Sequence, residues 1–264
     1  MASFTGNSIK DVYKDILHTS NSNTGLSTSI KQITCGDGDT TPLYLAQNKF
    51  KVQPSADSTT NAVIYDMNGN ALLTVDSTND LVKAGIGQHT VNTQFQQFGC
   101  YSFSPSPGVH HPLIASPIMY SDSGATWSAS VNSSNWGSNG VDPVTSLTVA
   151  TQADNLVPSL WLLQQNITID EIQYTMASNA SSTIILHVMS YDLQTGSGST
   201  AGDLSNGAVL ADTSAITTGA DRVSNGTMTI ATSDVNDTKA VVVFAEASDT
   251  DDFTIQITIK YHLR

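Results

Sequence analysis

The eleven residues before the C-terminal arginine alternate strictly between apolar and polar side chains. The apolar positions are Phe253, Ile255, Ile257, Ile259, Tyr261 and Leu263, and the polar positions are Thr254, Gln256, Thr258, Lys260 and His262. Because successive side chains of a β-strand point to opposite faces of a sheet, a period of two indicates a strand with one buried face. The end of the chain is therefore predicted to be a half-buried strand whose other face is polar.

Three further segments in the second half of the chain have the composition of strands. They span residues 167–176, 183–191 and 240–245. The first two are joined through residues 179–182, and the third is expected to pair with the final strand across the acidic loop 249–252. Several strands at this spacing, with no long helical pattern between them, favour an antiparallel β-sandwich of jelly-roll type for the C-terminal part.

The composition agrees with a β-rich chain and excludes one class of partner. Only 12% of the residues are charged, against about a quarter in an average domain, and 18 are glycine. Lys and Arg together number 10 and Asp and Glu 23, which gives a formal net charge of −13. This charge has the wrong sign for neutralising phosphates, so nucleic acid is not an expected partner.

The chain shows no pattern of membrane insertion or export. It has no run of about 18 apolar residues, and its first fifteen residues lack the apolar core of a signal peptide. We therefore expect it to fold in a cytoplasm. Its two cysteines, Cys35 and Cys100, are expected to be separate thiols there, with a disulfide between them as the alternative in an oxidising compartment.

The strongest helical pattern lies near the N-terminus, at about residues 8–18. Its apolar positions Ile9, Val12, Tyr13, Ile16 and Leu17 recur at the spacing of one helix face. A helix of this length is marginal alone in water, so its apolar stripe must be buried on its own domain or on another chain. The five residues are therefore candidates for an assembly contact.

Between residues 26 and 84, short strand patterns alternate with turns. The clearest turns are residues 36–39 and 68–70, and the second is flanked by apolar segments as in a β-hairpin. A weak internal repeat aligns residues 41–52 with residues 70–83. Two copies do not make a solenoid, but small β-structures of this kind need neighbours, such as other subunits, to complete a core.

A change in composition marks a domain boundary. No Lys or Arg occurs between Lys83 and Arg222, whereas lysines are spread through the first third of the chain. Gly85 and Gly87 follow the last of these lysines and indicate a flexible turn or linker there. We therefore predict an N-terminal region at residues 1–90 and a C-terminal β-domain at residues 91–264.

Two adjacent histidines are the sharpest candidates for a metal or catalytic site. His110 and His111 lie between Pro107 and Pro112 and are predicted to occupy a rigid, exposed loop. Adjacent side chains on an extended chain point in opposite directions, so the two are not expected to share an ion within one chain. A ring of either histidine around a threefold axis stays open as an alternative.

Two tryptophans are candidates for surface binding. Trp127 and Trp136 lie in a polar loop region, and aromatic faces stack on glycans. With His110 and His111 they form the predicted set of surface-binding residues. Trp161 lies in an apolar segment and is expected in the core.

No constellation for catalysis stands out. The sequence contains no GxSxG, Walker, HExxH or GxGxxG motif, and its only glutamates are Glu171 and Glu246. The acidic turns 37–39, 66–70 and 249–252 offer the oxygen ligands that calcium prefers, but none has EF-hand spacing. Solvated turns are expected there, with cation binding as the alternative. No catalytic residue, cofactor or metal site is predicted, and the protein is not expected to be an enzyme.

Several stretches resemble structural proteins of tailed bacteriophages, in particular short fibre and head-decoration proteins of marine phages. They are SIKDVY (residues 8–13), GDGD (36–39), GNALLTVD (69–76), HVMSYD (187–192), GDLSNG (202–207) and IKYHLR (259–264). The likeness spans most of the chain and assigns no catalytic or receptor residue.

The resemblance implies a homotrimeric virion protein that is assembled in the cytoplasm of the host bacterium. Its N-terminal region, with the apolar stripe at residues 9–17, would anchor it to capsid or tail proteins, and its C-terminal domain would project outward. The alternative is a receptor-binding or carbohydrate-binding tip of a tail adhesin, which would use the region from Trp127 to Trp136 on a host-surface glycan. A polysaccharide depolymerase is less favoured, because the chain is short for a catalytic fibre.

Overall fold

The structure is a computed structural model that describes residues 17–19, 25–115, 136–137, 142–148, 156–196, 198 and 200–264. It confirms the prediction of a mainly β fold, since these residues form antiparallel sheets joined by turns and loops. The chain divides into two compact units, Met1–Val91 and Asn92–Arg264, one residue from the predicted boundary. No helix within the described ranges is long and apolar enough to cross a membrane.

The N-terminal unit contains two four-stranded antiparallel sheets, each with its strands in sequence order. The first sheet consists of β1 (His18–Thr19), β2 (Lys31–Thr34), β3 (Thr40–Leu45) and β4 (Phe50–Val52). The second consists of β5 (Ala62–Tyr65), β6 (Ala71–Asp76), β7 (Leu81–Ala84) and β8 (His89–Thr90). The two copies of the aligned repeat each form a hairpin, β3–β4 and β6–β7, with four-residue connections at 46–49 and 77–80.

The expected hairpin at residues 68–70 connects β5 and β6. Gly69 has a φ of +83°, which glycine adopts at little cost. Asp66 fixes this turn, because its carboxylate accepts hydrogen bonds from the backbone N–H groups of Asn68 and Asn70, both at 2.8 Å. A hydrogen bond of 2.9 Å from the side-chain amide of Asn70, together with these backbone hydrogen bonds, lowers the pKa of Asp66.

The N-terminal helix is not seen. Its predicted residues 8–16 lie outside the described part of the chain, while Leu17 is not helical and His18–Thr19 form β1. His18 and Thr19 pair with Thr34 and Ile33 of β2. The prediction of a helix that extends to residue 18 is therefore wrong, because sheet pairing satisfies this backbone instead.

The C-terminal unit contains a seven-stranded and a five-stranded sheet. The path of the seven-stranded sheet is β10 (His110–Pro112), β19 (Lys239–Ala247), β13 (Thr183–Leu193), β14 (Leu204–Asp212) and β17 (Thr229–Ile230), with β11 (Trp161–Leu162) beside β19 and β15 (Ile216–Thr217) beside β13. The path of the five-stranded sheet is β16 (Arg222–Thr227), β12 (Ile167–Ser178), β20 (Phe253–Leu263) and β9 (Thr93–Phe103), with β18 (Asp234–Val235) beside β12.

Most connections between consecutive strands cross from one sheet to the other, and two of them bear on the predictions. Residues 179–182 lead from β12 to β13, and residues 248–252 lead from β19 to β20. The prediction that the last two strands pair with each other is therefore wrong. β19 is apolar on both faces and lies inside the seven-stranded sheet, whereas β20 pairs with β9 and β12.

Side chains from both C-terminal sheets meet in one hydrophobic cluster, which we call the main core. Its members include Phe98, Ile172, Met176, Ile255 and Ile257 from the five-stranded sheet and Ile184, Leu186, Val188, Val241 and Val243 from the seven-stranded sheet. The predicted alternation of the final strand is confirmed: Phe253, Ile255, Ile257 and Ile259 are all at most 1% exposed.

The seven-stranded sheet also buries its other face, on which a second group of side chains forms an outer cluster. Its members include Trp136, Leu147, Met189, Tyr191, Val242 and Phe244. The segment 142–148 is held there by Tyr191, whose hydroxyl donates a hydrogen bond of 2.8 Å to the carbonyl of Val144. Only glycine fits at residue 207, since a Cβ at Gly207 would lie 2.6 Å from the Tyr191 ring and 2.8 Å from the Cα of Thr145.

Candidate functional site

The hairpin β3–β4 carries an apolar face that the described residues of its unit leave exposed. Strand register places Leu43 opposite Val52 and Leu45 opposite Phe50. Because residues two apart share a face, all four side chains lie on the same side of the hairpin. All four are exposed, and Phe50 is 73% exposed. We call these four residues the apolar hairpin face.

The second sheet repeats this arrangement. Leu73 of β6 lies opposite Ile64 of β5, and Val75 lies opposite Val82 of β7, so these four apolar side chains share a face. Ile64 is 58% and Val82 36% exposed, and the other two are partly exposed. The N-terminal unit thus has two sheets with one uncovered apolar side each.

The opposite face of the second sheet carries a partly buried ion pair beside the apolar side chains of Val63 and Leu81. Lys83 Nζ lies 2.9 Å from Asp76 Oδ2, and the Asp76 side chain is inaccessible to solvent. Hydrogen bonds from Lys83 and Asn79 lower the pKa of Asp76 to about 2. The charges of Lys83 and Asp76 therefore satisfy each other within this sheet.

The two units differ sharply in how much apolar surface they bury. Among the described residues of the N-terminal unit, Ile33 and Ala46 are the only buried apolar side chains. Both hydrophobic clusters lie wholly in the C-terminal unit. Large exposed apolar patches of this kind mark interaction surfaces. The apolar faces of the N-terminal unit are therefore the candidate assembly site.

The predicted assembly stripe is mostly outside the described residues. Ile9, Val12, Tyr13 and Ile16 lie there, and Leu17 is 62% exposed beside β1. Leu17 is thus available for a contact, although not as part of a helix.

The predicted tryptophan surface is not present as expected. Trp127 lies outside the described residues, and Trp136 is 0% exposed in the outer cluster, with its ring centroid 4.8 Å from that of Phe244. The prediction that Trp136 is a surface residue is therefore wrong. The polar residues around it in the sequence concealed that the segment covers an apolar sheet face.

The prediction of an exposed histidine loop is also wrong. His110 and His111 form β10 with Pro112 and are 0% and 4% exposed, because pairing with β19 places them in a sheet that is covered on both faces. Their side chains point to opposite faces, as the sequence argument expects. His111 accepts a hydrogen bond of 3.0 Å from the backbone N–H of Ser106 and packs edge-on against Phe103, and burial lowers its pKa.

His110 instead points toward the outer cluster, where it meets two residues that the sequence analysis did not select. Its Nε2 lies 3.4 Å from Oε2 of Glu246, and its ring stands edge-on to that of His187 with centroids 5.2 Å apart. Burial and the neighbouring His110 lower the pKa of His187 to about 4. The His187 ring is therefore neutral at neutral pH, with a free electron pair on one nitrogen.

The acidic turns at 36–39 and 249–252 contain hydrogen bonds to neighbouring residues, and the two cysteines are not bonded to each other. Residues 36–39 form a turn between β2 and β3, closed by the Cys35 N–H donating to the Asp39 carbonyl at 2.9 Å. In the loop 249–252, Asp251 accepts a hydrogen bond of 2.6 Å from the Ser182 hydroxyl. Cys35 and Cys100 are free thiols in different units, and burial raises the pKa of Cys100 to about 12.

An open cavity of about 320 Å³ lies at one end of the main core. Its lining combines aromatic and amide side chains: Trp161, Tyr261, Gln94, Gln164 and Gln165. The Trp161 and Tyr261 rings are 4.9 Å apart, and the Tyr261 hydroxyl donates a hydrogen bond of 2.9 Å to Gln94. The half-buried Trp161 is thus the tryptophan that reaches solvent within the described residues.

No protein-family model matches the chain, and no curated protein sequence matches it. What the chain does is therefore inferred from the geometry of its own residues.

Proposed function

We propose that the protein is a bacteriophage virion structural protein, a short homotrimeric fibre or capsid-decoration protein that works by assembly and without turnover. Its N-terminal unit forms the trimer and the attachment to the particle. Its C-terminal unit is an antiparallel β-sandwich of jelly-roll type that projects outward. The observation that carries the proposal is the pair of apolar sheet faces that the described residues of the N-terminal unit leave exposed.

Small sheets with one apolar face are not stable by themselves in water. Three or more strands need a hydrophobic face that packs against something, and each Å² of apolar surface removed from water contributes about 25 cal/mol. The apolar hairpin face and the face around Ile64 supply that surface, and the described part of the N-terminal unit offers little to cover them. We assign this cover to another polypeptide.

Other copies of this chain are the simplest partner, because assembly then needs no second kind of protein. Closed symmetry brings the same patch of each copy together around one axis. A trimer also agrees with the resemblance to short phage fibres. Its outer domain has 4 of the 10 Lys and Arg residues and 15 of the 23 Asp and Glu residues, a formal charge of −11 per copy that opposes aggregation and contact with DNA.

Three forms of the protein test the proposal, two by their mass and one by its incorporation into particles. The full chain should have about three times its 27.9 kDa by light scattering, and the fragment 92–264 should be a folded single chain. A chain that lacks residues 1–20 should be lost from purified particles while its C-terminal unit stays folded. The first two results share one physical reason, since the two uncovered sheet faces lie in the N-terminal unit. The third tests whether the stripe at residues 9–17 anchors the protein.

The fragment 92–264 is also the control, because it retains both hydrophobic clusters. A single-chain mass for the full protein at all concentrations would contradict the trimer. Normal incorporation of the chain without residues 1–20 would contradict anchoring by the N-terminus.

A second candidate function, glycan binding by an adhesin tip, is favoured by the cavity at Trp161. Aromatic rings flanked by amides suit the apolar faces and hydroxyl groups of sugars. Trp161→Ala is expected to weaken binding to a glycan array by about tenfold or more, since ring stacking would be lost. Trp136→Phe, a change in the closed outer cluster, should leave binding unchanged. Equal binding by the wild type and Trp161→Ala would exclude this site.

A further inference from the structure

The proposed function does not use a group of three buried side chains on the outer face of the seven-stranded sheet. His110, His187 and Glu246 each offer one nitrogen or oxygen atom, and these atoms lie within 4.8 Å of one another. We propose that the three residues form a binding site for one divalent transition-metal ion of the zinc class. This inference is independent of the trimer and of the virion.

Strand register brings the three residues together. His110 lies directly opposite Glu246 in the pair β10–β19. His187 lies opposite Phe244 in the pair β13–β19, and Phe244 is two residues from Glu246. Because opposite residues share a face and residues two apart share a face, all three ligand-bearing side chains point to the same side of the sheet. Three adjacent strands thus supply one ligand each.

The imidazole nitrogens of His110 and His187 have no hydrogen-bonding role in the described structure. Neither nitrogen of His110 and neither nitrogen of His187 has a hydrogen-bond partner among the described residues. The two side chains are only 0% and 6% exposed, so bulk water does not compensate. Buried polar atoms are nearly always paired, and an unpaired one calls for a bound ion or water.

The distances fit a metal better than a hydrogen bond. Zinc binds nitrogen and oxygen ligands at about 2.0–2.2 Å, so neighbouring ligands of a tetrahedral site are about 3.3–3.5 Å apart. His110 Nε2 and Glu246 Oε2 are 3.4 Å apart, yet Nε2 makes no hydrogen bond with any described residue. The ligand atom of His187 lies within 4.8 Å of the other two and would move closer to them when an ion binds.

The ligand types select the class of ion. Two imidazoles and one carboxylate suit zinc and its neighbours among the transition metals, whereas calcium and magnesium prefer oxygen alone. Asp142 Oδ1 lies 3.9 Å from His187 Nδ1 and adds a negative charge beside the site. A cation there would be held in surroundings whose net charge favours it.

The burial of the site indicates a structural role for the ion. The side chains of His110, His187 and Glu246 are less than a tenth exposed, which leaves little access for a substrate. The site lies beside Phe244 of the outer cluster, with the rings of His110 and Phe244 6.4 Å apart. A bound ion would therefore tie β10 to β13 and β19 where the outer face is closed.

The test is a zinc titration of the full-length protein after removal of metal with a chelator. We expect one zinc ion per chain after desalting. At a zinc concentration of about a hundred times the dissociation constant, the thermal midpoint should rise by about 5–10 °C. Glu246→Gln keeps the shape of the side chain and should weaken zinc binding by about a hundredfold or more, as should His110→Gln.

Two histidines serve as matched controls. His111→Gln changes the neighbour that points to the other face, and His89→Gln changes an exposed histidine of the N-terminal unit. Both variants should bind zinc as the wild type does. The proposal is overturned if the folded wild type retains no zinc and shows no change in midpoint, or if Glu246→Gln binds zinc as tightly as the wild type.

Discussion

Replacing Phe244 by alanine is expected to lower the free energy of unfolding of the C-terminal unit by about 3–5 kcal/mol. Phe244 is 0% exposed and lies between Trp136 and His110 on the outer face of the seven-stranded sheet. The alanine leaves a cavity that the surrounding strand backbone cannot close, because β19 is paired along both edges. Urea unfolding of the fragment 92–264, followed by tryptophan fluorescence, measures the change.

Phe95→Ala provides the control for this prediction. Phe95 lies on β9 in the same unit and is 63% exposed, so its loss should change the free energy of unfolding by about 0.5 kcal/mol or less. Equal effects of the two substitutions would show that the outer face is not a packed layer. The fragment would then depend on the main core alone.

The strands of the C-terminal unit could be predicted from the sequence because their signal is local. The alternation at 253–263 and the apolar runs at 167–176, 183–191 and 240–245 each became a strand of similar extent. Their partners could not be predicted, because pairing depends on which faces of a sheet are covered. The outer face of β19 is buried beneath Trp136 and other members of the outer cluster. The polar sequence around Trp136 gives no sign that this residue covers a sheet.

The same lack of long-range information hid the histidine cluster. His110 is adjacent to His111 in sequence, which suggested a joint site, but the period of two separates them. The true neighbours of His110 are 77 and 136 residues away in the chain, at His187 and Glu246. The sequence offered two signals of this cluster, a lone histidine inside the apolar run of β13 and a glutamate near the end of β19. Neither residue lies in a recognisable motif, so only the strand register shows that they meet.

The small hairpins of the N-terminal region were predictable, whereas their exposed apolar faces were not. The aligned repeat at 41–52 and 70–83 indicated small hairpins, which the structure contains. The sequence analysis placed the assembly contact on the stripe at residues 9–17. The described structure adds the apolar faces of the two sheets as candidate contacts. These faces could not be found from the sequence, because strand register decides which side chains share a face.

Phe50→Asp is expected to convert the trimer into single chains. Phe50 is 73% exposed on the edge strand β4, so aspartate there removes few contacts within one copy. In a closed trimer the same change occurs at three interfaces, and each would bury an unpaired carboxylate where an aromatic anchor had packed. A loss of about 2–4 kcal/mol at each interface raises the dissociation constant of the trimer by several orders of magnitude. Light scattering across a range of concentrations measures the result.

Val223→Asp is the matched control, because Val223 is 71% exposed on β16, an edge strand of the C-terminal unit. It introduces the same charge at an equally exposed apolar position and should leave the mass at three chains. If Phe50→Asp also keeps three chains, the apolar hairpin face is not the trimer contact, and the face around Ile64 becomes the one to change. If both variants fall to single chains, added charge itself prevents association, and the effect at Phe50 says nothing about where the chains meet. If only Phe50→Asp falls to single chains, the interface lies on β3–β4. This is the only one of the outcomes that would link the uncovered apolar surface to the assembly of the protein.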